Sequence, residues 1–127
     1  MFGYSPVVTF ASSSQALFIE TADDPAERST GLVNRTCLGD NSGMLFVYPN
    51  DVENTFWMKD TLVPLSIAWL KADGAILEIE DMQPRTEDQH SSPAPFRYAI
   101  EANQGWFTAH GISVGDVATL PPNLSAS

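Results

Sequence analysis

The side chains best suited to chemistry are concentrated in one short segment, residues 55–65. Lys59 follows two aromatic residues and a methionine, and Asp60 and Thr61 come directly after it. A lysine in apolar surroundings needs a hydrogen-bonded partner, because burying an unpaired ammonium group is costly. The segment therefore predicts either an ion pair that ties strands together or the polar floor of a ligand pocket.

Three carboxylates are candidate partners for this lysine. Alternate residues of an extended strand share a face, so Trp57 and Lys59 are expected on the same side. Glu101 interrupts an otherwise apolar strand, and Asp81 falls on the inward face of a predicted hairpin. We predict that the Lys59 ammonium group lies within hydrogen-bonding reach of Glu101, with Asp81 or Asp60 as the next candidates.

Other kinds of site have little support in the sequence. A single cysteine, Cys37, allows no disulfide within the chain and no thiolate metal cluster. His90 and His110 do not have the spacing of a zinc motif, and the chain lacks a glycine-rich phosphate loop and a serine nucleophile elbow. We therefore predict no metal site and no cofactor.

Composition and charge narrow the classes of partner. The 127 residues are enough for a single domain, residues 1–127, with a tail at residues 121–127. The net charge of −10 disfavours nucleic acid and anionic membranes as partners.

No apolar run approaches the ~20 residues that span a bilayer, so no membrane span is predicted. Residues 1–6 lack the pattern of a signal peptide, which indicates either a cytoplasmic protein or one whose leader has been removed. The oligomeric state stays open.

The elements that must position these residues are short. Asp24, Pro25 and Glu27 form a helix start signal, and Asn103 is predicted to cap a second short helix that ends near Gly111. Many short predicted strands with these two helices indicate a mainly β (α+β) fold, a single compact barrel- or sandwich-like β domain with one or two short helices. The predicted strands cover residues 7–10, 16–21, 44–48 (ended by Pro49), 55–59, 65–71, 77–80, 97–102 and 118–120.

The hairpin around residues 72–74 has two possible registers. A three-residue loop pairs Trp69 with Leu77, whereas a two-residue loop pairs Trp69 with Glu78. Only the first gathers the large apolar side chains on one face of the hairpin. We therefore predict the three-residue loop, with Gly74 in the left-handed conformation that such loops use.

Several short motifs in this chain carry a resemblance to a known family. They are Gly31-Leu32 with Arg35, residues 43–46, residues 56–59 with Thr61 and Pro64-Leu65, residues 99–101, Gly105, and residues 111–116. In order and spacing, from about residue 16 to residue 120, they resemble domain-of-unknown-function family 192. The resemblance implies a compact, mostly β domain that is often found behind an export signal, in a family with no established activity.

The chain departs from the family pattern at three places. Asp60 stands where asparagine is usual, and Ser66 stands where aspartate is usual. Many relatives carry two cysteines in the loop over residues 83–95, whereas this chain has His90, Ser91 and Ser92 there. A metal or redox role for that loop is therefore not expected in this chain.

These observations favour a non-enzymatic binding or accessory domain. It would be exported and would hold a small polar ligand or a partner segment. One alternative is a small hydrolase or lyase that uses Lys59 with a carboxylate, for which a lowered lysine pKa would be diagnostic. Another is a purely structural domain in which the face bearing Trp57 and Lys59 is filled. The candidate ligand-binding residues are Trp57, Lys59, Asp60, Thr61, Glu101, Arg35 and Asp81.

Overall fold

The computed structural model describes residues 6–127, so the reading of residues 1–6 as lacking a signal peptide falls almost wholly outside it. Within residues 6–127, no helix is both long and apolar enough to cross a membrane. The same residues form nine strands and two helices: β1 (Val7–Phe10), β2 (Leu17–Ala22), α1 (Pro25–Thr30), β3 (Ser42–Val52), β4 (Thr55–Phe56), β5 (Leu65–Leu70), β6 (Ile76–Met82), β7 (His90–Ser91), β8 (Phe96–Asn103), α2 (Trp106–Ala109) and β9 (Ala118–Thr119).

Seven of the strands form one curled sheet in the order β6-β5-β8-β3-β2-β1-β9. Neighbouring strands are antiparallel except β2 and β3, which are parallel and joined through α1. The sheet curls into a half-barrel, and its two outer edges approach each other where Ala75 bridges Val117. The other two strands, β4 and β7, pair separately. The predicted single, compact, mainly β domain with two short helices is confirmed.

The sheet is buried on both faces, and this determines the composition of its central strands. One face packs against α2 and its neighbours, with Leu45, Ile100 and Phe107 in the first core. The other is covered by the chain around residues 22–38 and 54–63, with Phe46 and Trp69 in the second core. All six residues of β5 are buried for this reason. A strand buried on both faces loses the apolar–polar alternation that a half-exposed strand shows.

The two helix predictions have different outcomes. Asp24 caps α1 by accepting a hydrogen bond from the Glu27 backbone N–H at 2.8 Å, and Pro25 opens the helix, so that start signal is confirmed. The predicted cap of α2 by Asn103 is wrong, because Gly105 occupies the cap position. The Asn103 amide instead donates to the backbone oxygens of Leu38 and Gly39, which ties β8 to the loop before β3.

The hairpin prediction is right about the loop and wrong about the strand register. Lys71 N–H donates to Ala75 O across the predicted three-residue loop, and Gly74 has a φ of 90°. The register then shifts between Trp69 and Leu70, so that Trp69 lies opposite Glu78 rather than Leu77. The prediction assumed one buried face, whereas β5 is buried on both, so gathering apolar side chains on one face did not select the register.

Most predicted strands differ from the structure by one to three residues, and two differ for a reason of their own. β3 does not end at Pro49 but continues to Val52, with an irregularity in its pairing to β8 between Val47 and Val52. Pro49 lies in this irregular, exposed stretch, where its missing N–H breaks no regular ladder. The predicted strand 55–59 is reduced to β4, after which the chain turns.

Candidate ligand-binding cavity

A cavity of about 490 Å³ lies over the second face of the sheet. Its walls come from α1 with the residues that follow it and from the segment 54–61. The sheet contributes Phe46 and Tyr48 from β3 and Glu101 from β8. The face bearing Trp57 and Lys59 is therefore not filled by core side chains. The lining residues are Pro25, Arg28, Ser29, Thr30, Gly31, Leu32, Val33, Phe46, Tyr48, Asn54, Thr55, Phe56, Trp57, Lys59, Thr61 and Glu101.

Glu101 supplies the buried carboxyl group of the cavity. It lies on the central strand β8, opposite Met44 on one side and Ile67 on the other, so its side chain shares the second face with these apolar residues. Only 5% of the residue is exposed, and its carboxyl group makes no hydrogen bond or ion pair with residues 6–127. Burial raises the pKa of Glu101 to about 8. At neutral pH the carboxyl group is therefore mostly protonated and can both donate and accept a hydrogen bond.

The predicted ion pair between Lys59 and a carboxylate is wrong. None of the four ion pairs formed within residues 6–127 includes Lys59. Its side chain is exposed, and its Nζ lies 5.5 Å from the centre of the Trp57 ring, which is itself 49% exposed. Lysine can keep its ammonium group in water while its stem lies along apolar surface, so it did not need a buried partner. Lys59 and Glu101 nevertheless line the same cavity.

Arg28 and Tyr48 also line the cavity, although the sequence did not indicate either of them as a site residue. The Arg28 guanidinium lies 4.8 Å from the centre of the Tyr48 ring and donates to the backbone oxygens of Val47 and Ser127 at 2.9 and 2.7 Å. Burial raises the pKa of Tyr48 to about 12. Tyr48 could have been found by counting alternate residues along β3 from Met44, because that count places it on the Glu101 face. Arg28 gave no such signal on a short polar helix.

Thr61 also lines the cavity, and it is buried. Asp60, the residue before it, is exposed, does not line the cavity and has a φ of 59° in the turn between Met58 and Thr61. Asparagine and aspartate are the residues other than glycine that tolerate this left-handed conformation best. The turn therefore explains why an aspartate can stand at this position.

Arg35 and Asp81 are candidate residues that the structure places outside the cavity lining. Arg35 forms a two-bond ion pair with Glu20 at 2.6 and 2.7 Å, and this hydrogen bonding lowers the pKa of Glu20. Asp81 accepts a hydrogen bond from the Ser66 hydroxyl at 2.7 Å, and that hydroxyl accepts from the Gly105 backbone N–H. Ser66 thus joins β6 to the start of α2.

The loop over residues 83–95 is hydrogen-bonded to the segment that contributes Thr55 and Phe56 to the cavity lining, and its Thr86 oxygen accepts from the Met58 N–H at 3.1 Å. His90 and Ser91 form β7, which pairs with β4 just before Trp57. The His90 Nδ1 atom lies 3.0 Å from a carboxylate oxygen of Glu80. The histidine in this loop therefore anchors the β4–β7 pair to the main sheet, which is a structural role.

A cluster of three acidic side chains occurs outside the cavity, among residues 6–127. Carboxylate oxygens of Asp23, Asp24 and Glu27 lie within 4.8 Å of one another. Asp24 caps α1, and Glu27 accepts a hydrogen bond from the Asp23 backbone N–H at 3.1 Å. Two of the three carboxylates are thus occupied in starting the helix.

Fold and cavity together define a small half-barrel domain with a partly polar cavity over one face of its sheet, into which the buried Glu101 carboxyl group faces. The sequence matches the model of family DUF192, described as "Uncharacterized ACR", over residues 7–120. The chain belongs to this family, and the resemblance predicted from its motifs is confirmed. None of the curated proteins matches the chain.

Two solved structures share the fold over nearly the whole chain. A protein from Sinorhizobium meliloti 1021, provisionally described as a transcription regulator, is 31% identical with a TM-score of 0.84, and the match covers 94% of this chain and 97% of that one. A protein of unknown function from Novosphingobium aromaticivorans DSM 12444 is 32% identical, also with a TM-score of 0.84, and the match covers 91% of this chain and 83% of that one.

Proposed function

We propose that this domain is a non-enzymatic binding domain that holds a small polar ligand in the cavity beside Trp57, Lys59 and Glu101. The observation that carries the proposal is the Glu101 carboxyl group, which is buried, faces the cavity and has no partner among residues 6–127. Its oxygens open onto the cavity, where a ligand can form hydrogen bonds with them.

The cavity walls fit a ligand that has both polar and apolar parts. Phe46 and Phe56 offer apolar surface, and their ring centres lie 5.3 Å apart in an edge-to-face arrangement. Thr61, Tyr48 and Asn54 offer hydroxyl and amide groups. A few polar groups converging in a partly apolar concavity is the usual composition of a small-molecule site.

Protein-observed NMR with a fragment library tests this proposal. Ser29→Trp places a bulky side chain at the cavity wall, and Ala26→Trp places one on the exposed side of the same helix. Fragments that bind the cavity should perturb the Trp57 indole signal, bind the Ala26→Trp control and lose binding in Ser29→Trp. If no fragment perturbs Trp57, or if binding persists in Ser29→Trp, the proposed function is wrong.

A hydrolase or lyase is the second candidate, and the raised pKa of Glu101 is the observation that favours it. A carboxyl group that titrates near neutral pH can act as a general acid or base. However, Lys59 makes no ion pair or hydrogen bond with Glu101, so the two do not form an activated pair. Turnover of a bound fragment that is abolished by Glu101→Gln would favour the enzyme over the binding domain.

We propose export for this domain, but not nucleic-acid binding. Export rests on the family resemblance, and fractionation of cells that express the natural gene tests it. A chain with 16 acidic and 6 basic residues repels phosphate backbones, so we propose a partner other than nucleic acid.

A further inference from the structure

The charges that line the cavity are unusual for this chain. Its acidic residues outnumber its basic residues 16 to 6, yet the cavity is lined by two cations, Arg28 and Lys59, and one carboxyl group, Glu101. Tyr48 is the fourth titratable group that faces the cavity, and the second-core residues of β5 contribute none. A local excess of positive charge in an acidic protein points to an anionic occupant.

The two cavity cations form no ion pair with an Asp or Glu side chain within residues 6–127, and the same holds for Arg85 outside the cavity. Arg35, Lys71 and Arg97 pair with Glu20, Asp73 and Asp51, respectively. Arg28 and Lys59 lie instead over the rings of Tyr48 and Trp57. Arg28 also donates hydrogen bonds to the Val47 and Ser127 oxygens, so Lys59 is the less engaged of the two cations that a ligand would meet.

Glu101 does not cancel these charges. Its burial favours the neutral carboxyl group over the carboxylate at neutral pH. A protonated carboxyl group donates a strong hydrogen bond, and its best acceptor is an anionic oxygen. The cavity therefore combines one O–H donor at its floor with two cations in its walls.

Resting on the proposed function, we propose that the ligand is a small organic carboxylate. Its carboxylate accepts a hydrogen bond from the Glu101 carboxyl group and is neutralised by Arg28 and Lys59. Its apolar body lies against Phe46 and Phe56. A cationic amine would instead meet two like charges, and a neutral ligand would leave both of them without a counter-charge.

Titration with a matched series of probes tests this inference. Benzoate, benzamide and benzylamine have similar shapes and carry negative, zero and positive charge; acetate is a smaller anionic probe. The Trp57 indole signal in NMR reports binding. We expect benzoate to bind at least about tenfold more tightly than benzamide, and benzylamine to bind more weakly still. Lys59→Met should weaken benzoate binding about fivefold, a change expected for a partly exposed charge, whereas the control Lys71→Met should leave it unchanged.

The pH dependence tests the role of Glu101. Only the protonated form is competent to donate, so benzoate affinity should fall about tenfold between pH 7 and pH 9. In Glu101→Gln the amide is a weaker donor and affinity at pH 7 should fall a few-fold, but the further loss towards pH 9 should largely disappear. A site for amines would behave in the opposite way: binding would strengthen with pH and be abolished by Glu101→Gln.

The outcomes separate the inference from the proposed function. The carboxylate inference is wrong if benzylamine or benzamide binds more tightly than benzoate. It is also wrong if neither acetate nor benzoate perturbs Trp57 up to about 10 mM, well above the ~1 mM dissociation constant of a weak site. In either case the proposed function stands as long as other fragments bind the cavity and are blocked by Ser29→Trp. The proposed function and the carboxylate inference are both wrong if no fragment binds the cavity.

Discussion

Replacing Glu101 by glutamine should make the protein more stable at high pH, although it alters a buried cavity residue. The pKa of Glu101 is about 8 in the folded protein against 4.5 for a free glutamate. Below pH 4.5 the carboxyl group is protonated in the folded and unfolded states, so it adds no pH dependence. Between pH 4.5 and 8 only the unfolded chain releases the proton, and the free energy of unfolding falls as pH rises. Above pH 8 both states are ionised and the loss is constant.

The size of this loss follows from the pKa difference. Each pH unit between the two pKa values corresponds to about 1.36 kcal/mol, so ionisation of Glu101 destabilises the folded state by up to about 5 kcal/mol at pH 8 and above. Domains of this size have total stabilities of about 5–15 kcal/mol, so the effect is large. Glutamine has nearly the same shape and cannot ionise. We therefore expect Glu101→Gln to match the wild type within about 1 kcal/mol near pH 4.5 and to exceed it by several kcal/mol near pH 8.

Urea unfolding followed by tryptophan fluorescence measures this difference from about pH 4 to pH 9. The buffers must contain no carboxylates, because acetate or citrate could bind the cavity and stabilise the wild type. Glu53→Gln, at an exposed residue, is the matched control, and its profile should run parallel to that of the wild type. Parallel profiles for Glu101→Gln and the wild type would refute the reasoning, because they would show that the Glu101 carboxylate is not desolvated.

Three further predictions test other parts of the description. Lys59→Ala should change the free energy of unfolding by no more than about 1 kcal/mol in thermal melts, because the Lys59 ammonium group is exposed and its removal leaves no buried carboxylate without a partner. A loss of several kcal/mol would instead indicate a buried ion pair. Gly74→Ala should cost more than about 1 kcal/mol, because φ is 90° and the added Cβ would lie 2.5 Å from Ala118 O; an unchanged melting temperature would contradict that geometry. Arg35→Ala should cost only about 0.2–1 kcal/mol, and less in high salt, because its pair with Glu20 is partly exposed; a loss that does not depend on salt would argue against a charge interaction.

Features controlled by local signals could be predicted from the sequence. Asp24 and Pro25 define the start of α1 through hydrogen bonds and backbone geometry that involve only neighbouring residues. The three-residue loop has a local signal only in Gly74, whose φ is 90°, because the apolar-face argument that selects this loop does not hold for β5. By contrast, the opposition of Trp69 and Glu78 depends on a core on each side of β5, and no pattern within the hairpin reveals the second core.

The cavity could be predicted only in part. The sequence singles out Lys59 and Glu101 because charged residues in apolar strands are unusual, and Trp57 because strand alternation places it on the same face as Lys59. The structure brings all three to one cavity. Their pairing was predicted wrongly because strand alternation does not determine whether a long side chain reaches inward or stays in water. Arg28 reaches the cavity through the packing of α1 over the sheet, which is a tertiary arrangement without a local sequence signal.

The pairing of β1 with β9 has a consequence for how this protein folds. Thr9 lies opposite Thr119, and Ala75 bridges Val117, so the two outer edges of the half-barrel are brought together by residues far apart in the chain. Contacts at such long sequence separation slow folding, because a long loop must be ordered before they form. During synthesis the outer edge of β1 and the start of β6 stay unpaired until residues 115–119 have been added. Until then the growing chain exposes strand edges that can pair with other chains, and molecular chaperones recognise such intermediates.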